Sequence, residues 1–397
     1  MLFKACFLSL LVYFCSATKA DPANSYDILY SQAVEAYLNE EWDECVTRMN
    51  EAIEDYHFYK DAVVGCRLEC LKESFDKPLV SPQLEDMKLW EKMIKKTLCL
   101  LKCKKGILKN RAEIVDRKVA DDFDTLKPYD YLQLCYFKTN DNIKAASCAY
   151  TFLTMNTNHT VMKENLRFFI NELKVDPAYV INLEAKPYVD LYIRGSESYK
   201  KKDYDRTTTN MELSLVEYLE AEEECRAHCE GPFDQGWFPD FISSISNHYT
   251  FTLRCKRKCA SKLGNLNGEK HDDLLPSHYH YLQFAYFKMG NIEKACQAAA
   301  SYLLFFPDDE TMNENKVYYM TLGNVHEGMF VPRTEAVNYH ERDLGEKALL
   351  QFIEDNFQFD EGEILEATGP AVVPISTDLA VVSTDNIISE NEIPEST

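Results

Sequence analysis

The chain has 397 residues, and its 65 acidic side chains outnumber 43 Lys and Arg, for a formal net charge of −22. That balance argues against a nucleic-acid binder and against attachment to an anionic membrane surface. It serves solubility, or the attraction of a basic partner.

Residues 1–20 read as a secretory signal. Lys4 is the only charge ahead of an apolar run from Ala5 to Cys15, and small residues follow, with cleavage after Ala17 or Ala20. The run is too short to span a membrane, and no later stretch qualifies. A signal of this kind delivers the mature chain to an oxidising compartment. Cys6 and Cys15 leave with it.

A first helical half is expected over residues 21–175. Residues 26–56 carry Ala33, Ala36, Tyr37, Trp42, Cys45, Met49 and Ala52 at the offsets of a tetratricopeptide (TPR) helix pair, with Asn39-Glu40-Glu41 as the polar turn. Two Cys-x3-Cys copies follow, Cys66/Cys70 and Cys99/Cys103, on helical stretches near 58–74 and 84–108, broken by Pro78 and Pro82. A second pair runs from Tyr131 through a turn to Ile143, Ala145, Ala146 and Ala149. Asn158-His-Thr160 after it is a glycosylation sequon.

The pattern then begins again, over 187–325, beyond a junction marked by Pro177 and Pro187. Gly195, Tyr199, Tyr204 and Met211 repeat Ala33, Tyr37, Trp42 and Met49. Cys225/Cys229 and Cys255/Cys259 repeat the earlier couples, Tyr281-Leu-Gln283 repeats Tyr131-Leu-Gln133, and Met312 repeats Met162. Residues 326–353 read as a capping region, which an open array needs at its end. Residues 354–397 have no Lys or Arg and read as a disordered acidic tail. The expected fold class is all-α: a duplicated TPR-like array with disulfide-stapled helical hairpins.

Within each Cys-x3-Cys copy the two sulfurs share one helix face. The couples are spaced for antiparallel helices, which pairs Cys66 with Cys103, Cys70 with Cys99, Cys225 with Cys259 and Cys229 with Cys255. Bonds within a copy, a four-thiolate zinc site and a redox pair compete with that reading. The partners of Cys45, Cys135, Cys148 and Cys296 are left open. No phosphate loop, nucleophile elbow or Rossmann glycine pattern is present. His278 and His280, the closest histidine pair, have no carboxylate in ligand register and read as surface residues.

The four Cys-x3-Cys copies, the duplicated helix pairs and the signal resemble the leprecan family of collagen-modifying endoplasmic reticulum proteins, over about residues 25–353. The stretches Phe330 to His340 and Lys347 to Phe352 resemble the C-terminal region of its short, non-catalytic members. Longer members carry an iron- and 2-oxoglutarate-dependent prolyl 3-hydroxylase domain, for which this chain leaves no room. The resemblance implies a non-enzymatic helper subunit without catalytic residues, metal or cofactor of its own. Its implied place is the endoplasmic reticulum lumen, or beyond it the extracellular matrix, and its implied partners are a prolyl 3-hydroxylase, cyclophilin B and procollagen chains. A short paralogue serving collagen lysyl hydroxylation, and a thiol-disulfide exchange protein, are the alternatives.

Overall fold

Four turns of one design organise the array. In each, a left-handed residue lets the next backbone N–H reach back to a carbonyl of the finished helix. The left-handed residues are Glu40, Asn140, Lys202 and Gly290. The closing bonds run from Glu41 N to Ala36 O, Asp141 N to Tyr136 O, Asp203 N to Ser198 O and Asn291 N to Tyr286 O, at 2.8–2.9 Å. Only Gly290 adopts the left-handed region without a Cβ penalty. Asp141, Asp203 and Asn291 then cap the following helix by accepting from Lys144 N, Arg206 N and Lys294 N.

The structure is a computed structural model, and it describes residues 25–73, 78–81, 83–109, 111, 115–236 and 238–356. The expected signal, and the tail beyond Asn356, lie outside the described residues. In the first half, α1 (Tyr26–Leu38) pairs with α2 (Trp42–Lys72), and α3 (Glu85–Leu108) folds back along α2. The short α4 (Arg117–Asp124) leads into the pair α5 (Lys127–Lys138) and α6 (Asn142–Met155), then α7 (Thr160–Asn171). The second half repeats this order. It runs α8 (Pro187–Lys200), α9 (Tyr204–His228), α10 (Phe241–Arg257), α11 (Cys259–Leu263), α12 (Leu274–Lys288), α13 (Ile292–Phe305) and α14 (Glu310–Met320). A two-residue antiparallel ribbon, β1 (Asn265–Leu266) with β2 (Glu269–Lys270), joins α11 to α12. The last helix, α15, is Thr334–Asn356.

Each half has its own core. The first gathers Tyr26, Tyr30, Met49, Tyr56, Phe123 and Tyr129 with the small Ala33, Ala52, Ala145 and Ala149. The second gathers Tyr188, Tyr192, Met211, Tyr218, Tyr279 and Tyr319. Small residues set the approach of paired helices: a Cβ on Gly195 would stand 2.9 Å from Met211 Cε.

Three expectations are corrected. The first arm of each stapled hairpin is no separate element, because α2 and α9 run unbroken from the TPR turn into the cysteines. Nothing between Met49 and Cys66, or between Met211 and Cys225, breaks a helix except the tolerated Gly65. The capping helix continues to Asn356, past the expected limit at 353. Trp42 and Tyr204, expected as large buried aromatics at the turn, are half-buried; each lies edge-on to the tyrosine before its turn, Tyr37 at 5.9 Å and Tyr199 at 6.2 Å.

Candidate functional site: stapled hairpins and the seam between the halves

The eight cysteines of the four copies form bonds between helices. Cys66 joins Cys103 and Cys70 joins Cys99, with Cα atoms 5.7 and 5.8 Å apart. Cys225 joins Cys259 and Cys229 joins Cys255, at 5.9 and 5.7 Å. In the second half the copies sit at helix ends, since α9 stops one residue before Cys229 and Lys258 parts α10 from α11. A fifth bond, Cys45–Cys135, ties α2 to α5, the helix of the next pair, with Cα atoms 6.2 Å apart. Thr207 and Ala285 stand at the equivalent places of the second half, so that staple is made only once.

Cys148 and Cys296 are unbonded and buried. Burial pushes both thiols up, away from the reactive thiolate. Among the described residues, Cys70, Glu73 and Cys99 are grouped closely enough for a metal ion, within 4.8 Å. Their two sulfurs are already bonded to each other, which removes the thiolate donors a zinc site needs.

Between the halves runs a polar seam. Arg67, buried on α2, donates from Nη1 to the carbonyls of Ala227 (2.8 Å) and His228 (3.0 Å), the last of α9. From the junction, Glu184 accepts from the Tyr129 hydroxyl at 2.6 Å and meets His57 Nε2 at 2.9 Å. Burial pushes the Glu184 carboxyl up, but His57 and Tyr129 hold it below its ordinary value. Asp124 accepts from Tyr56 at 2.8 Å and lies 3.9 Å from His228. Against the effect of burial, His228, Lys60 and Tyr56 bring its carboxyl down to about 2. These groups border a cavity of about 80 Å³ lined by Tyr56, Lys60, Phe123, Asp124, Tyr129 and Glu184.

The junction itself is strapped to α6. Leu183 N donates to Thr151 Oγ1 (2.9 Å) and Ile181 N to Ser147 Oγ (3.3 Å). Asn265 Nδ2 reaches Thr154 O (2.6 Å), and Asn182 Nδ2 reaches Asn267 Oδ1 (3.0 Å), closing the seam from the other side.

The same strap recurs at the end of the second half. Arg333 N donates to Ser301 Oγ (2.9 Å), where Ser301 is the equivalent of Thr151. The Tyr129–Glu184 bond is not repeated: Glu335 lies near Tyr279, but the Tyr279 hydroxyl has no hydrogen-bond partner among the described residues. A 3₁₀ turn precedes each strap, Pro177–Tyr179 and Glu327–Met329. The arginines are equivalent too. Arg67 follows Cys66 and reaches the next half; Arg226 follows Cys225 and reaches Glu346 of α15. Buried Glu222 completes that clamp, accepting from Arg342 at 2.7 Å, and Arg257 pairs with Asp343.

The surface reading of His278 is overturned. It lies inside α12, fully buried, with Nε2 2.9 Å from Ser214 Oγ and Nδ1 2.7 Å from Leu274 O. Burial pushes its pKa down to about 4. His280 is half-buried in the same helix. Residue-by-residue reading also missed Arg67, Glu184, Thr151 and Ser301. The one signal for the arginine was its repetition, since the first copy of each half reads Cys-Arg. Asn158 is exposed in the turn before α7.

These features define a class: a predominantly α-helical, TPR-like repeat array with disulfide-linked helical segments and a strapped seam between two quasi-equivalent halves. The family description that matches is the Leprecan family TPR-like repeat region, over residues 25–322, and the chain belongs to the leprecan family. It is 35% identical over 347 residues to Prolyl 3-hydroxylase 1 of Gallus gallus, a match that takes in 85% of this chain but 48% of that protein. The chain thus spans about half the length of the prolyl 3-hydroxylase 1 relatives it matches. To human Cartilage-associated protein it is 33% identical over 344 residues, 85% of each chain. To human Endoplasmic reticulum protein SC65 it is 32% identical over 358 residues, 87% of this chain and 81% of that one.

Proposed function

We propose that the chain is a non-enzymatic scaffold subunit of the endoplasmic reticulum lumen that supports prolyl 3-hydroxylation of collagen. Its partners in this reading are a prolyl 3-hydroxylase, cyclophilin B and procollagen chains. The observation that carries it is the match to Cartilage-associated protein, which takes in 85% of each chain. The physical case agrees: pinned helix pairs offer rigid, aromatic-lined surfaces on which an extended, proline-rich chain or a partner enzyme can rest. Residues 1–20 serve as the entry signal, and Asn158 carries a glycan. The four inter-helix pairs serve as permanent rungs in the oxidising lumen.

The test is affinity capture of the full chain from secretory cells, with identification of the hydroxylase that co-purifies. A prolyl 3-hydroxylase supports the reading; its absence, or hydroxylation of a collagen peptide by the isolated chain with iron and 2-oxoglutarate, removes it. One second reading within the family is a short paralogue that serves lysyl hydroxylation of collagen, and a co-purifying lysyl hydroxylase selects it. Thiol-disulfide exchange through the Cys-x3-Cys pairs is disfavoured, because their eight sulfurs are bonded between helices and not within a copy.

A further inference from the structure

Two helices carry apolar stripes that no described residue covers. On α3, one residue of 24, Leu108, is buried. Met87, Ile94, Leu98 and Leu101 share one face at helical spacing and are 52%, 61%, 51% and 54% exposed. The disulfides leave α3 on another side, so α3 is held by covalent bonds while its apolar face points outward. Trp90, with Phe241 of α10 5.2 Å away, extends the apolar surface toward the second hairpin. Exposed Lys102 and Lys105 flank this stripe, a basic edge in a chain of net charge −22.

The second stripe is on α15: Leu344, Ala348 and Phe352 fall on one face with Leu349 beside them. Leu344, Leu349 and Phe352 are 52%, 47% and 61% exposed. Its border is acidic, with exposed Glu341 and Asp355, while Lys347 is turned to Asp343 at 2.8 Å. The duplication says what such a face is for. The strap that seats α15 on Ser301 is the strap that seats α8 after Thr151. The Cys-Arg pair reaches forward to the next unit in both places. Helix α15 therefore stands where α8 stands, as the opening helix of a further unit. The face α8 buries is covered by α9. The free face of α15 is the place for another helix, and its acidic border asks for a basic, apolar one.

We propose that this face receives α3 of a second copy of the chain, in a closed two-fold dimer where each copy gives its α15 to the other's α3. Each helix carries an exposed apolar stripe, bordered by Lys102 and Lys105 on α3 and by Glu341 and Asp355 on α15, and reciprocal docking satisfies both at once. Closure stops the head-to-tail contact from running on into a filament. Each dimer buries the contact twice, which raises the covered area toward that of a stable interface. The dimer stands or falls independently of the collagen reading.

The test is sedimentation velocity of the full mature chain over a range of concentrations, with three variants. Leu98→Asp on α3 and Phe352→Asp on α15 each replace an exposed side chain, and circular dichroism confirms their helix content. Each is expected to weaken the dimer by on the order of 100-fold or more, as for a central interface anchor. Mixing the two variants is expected to restore a weaker heterodimer, because one intact α15 then meets one intact α3. Reversing Lys102 and Lys105 to Glu is expected to weaken the dimer, and added Glu341→Lys and Asp355→Lys to restore it. A monomer at all concentrations overturns the proposal. So does a dimer indifferent to Phe352→Asp, or a full chain that dimerises only when residues 357–397 are removed, which would assign the stripe to that segment.

Discussion

The guanidinium of Arg67 lies 2.8 Å from the carbonyl oxygen of Ala227, so a side chain of the first half completes the last turn of a helix in the second. The final carbonyls of α9 have no partner within their own helix, and a cation there also meets the negative end of the helix dipole. Burial of Arg67 opposes its charge, so the contact stands on those carbonyl bonds and on the nearby Glu230. Arg67→Ala is expected to cost about 2–4 kcal/mol, since it leaves buried acceptors unpaired. Hydrogen exchange should rise first at the end of α9. Unchanged exchange at 225–230 with an unchanged melting temperature would show that the halves do not depend on this bond.

The buried histidine predicts a pH dependence. The pKa of His278 is pushed down from 6.5 to about 4, so the unfolded chain binds a proton that the folded chain refuses. Stability is then full above about pH 6.5, falls as pH drops toward 4, and loses about 3 kcal/mol across that window. The charged group acting on His278 is Glu212, which favours the protonated form and limits the shift. His278→Gln should melt lower at neutral pH but show a flatter slope between pH 7 and 4.5. Asp124 acts in a lower window: its carboxyl is depressed from 3.8 to about 2, so its contribution is lost only as pH falls through that range. Parallel slopes for parent and variant would remove His278 as the source.

The extra staple of the first half can be exchanged for the second half's solution. Cys45→Thr with Cys135→Ala copies Thr207 and Ala285, both fully buried in the equivalent site. The double variant should fold, with a loss of up to about 4–5 kcal/mol from the loop of 90 residues the bond closes. Urea unfolding gives the number. A variant that cannot fold would mean the two pairs of helices pack differently at this site.

At the turns, Gly290→Ala should cost about 1 kcal/mol, since φ is +78° there. Lys202→Gly, at φ +63°, should be neutral or stabilise by up to about 1 kcal/mol. Paired thermal melts should show a loss for Gly290→Ala and none for Lys202→Gly.

Trp42→Ala and Tyr204→Ala should each cost about 1–2 kcal/mol, less than a core aromatic, because both rings are half-exposed beside their turns. Losses of 4 kcal/mol or more would place them in the core after all.

Local pattern determined a great deal. Small and aromatic residues at fixed offsets define a TPR-like helix pair, and their recurrence defines the duplication, because a helix face depends only on spacing along the chain. The Cys-x3-Cys couples mark which helices lie side by side for the same reason. What depended on distance in space was not legible. Cys45 and Cys135 are 90 residues apart, and nothing local distinguishes them from Cys148 or Cys296, which stay unbonded. His278 looked like a surface residue because its polar partner, Ser214, comes from another helix pair. Arg67 sits inside a motif read for its cysteines, yet its task is set by the end of a helix 160 residues on. Burial and hydrogen-bond partnership belong to the packed arrangement of both halves, and only the tertiary structure decides them.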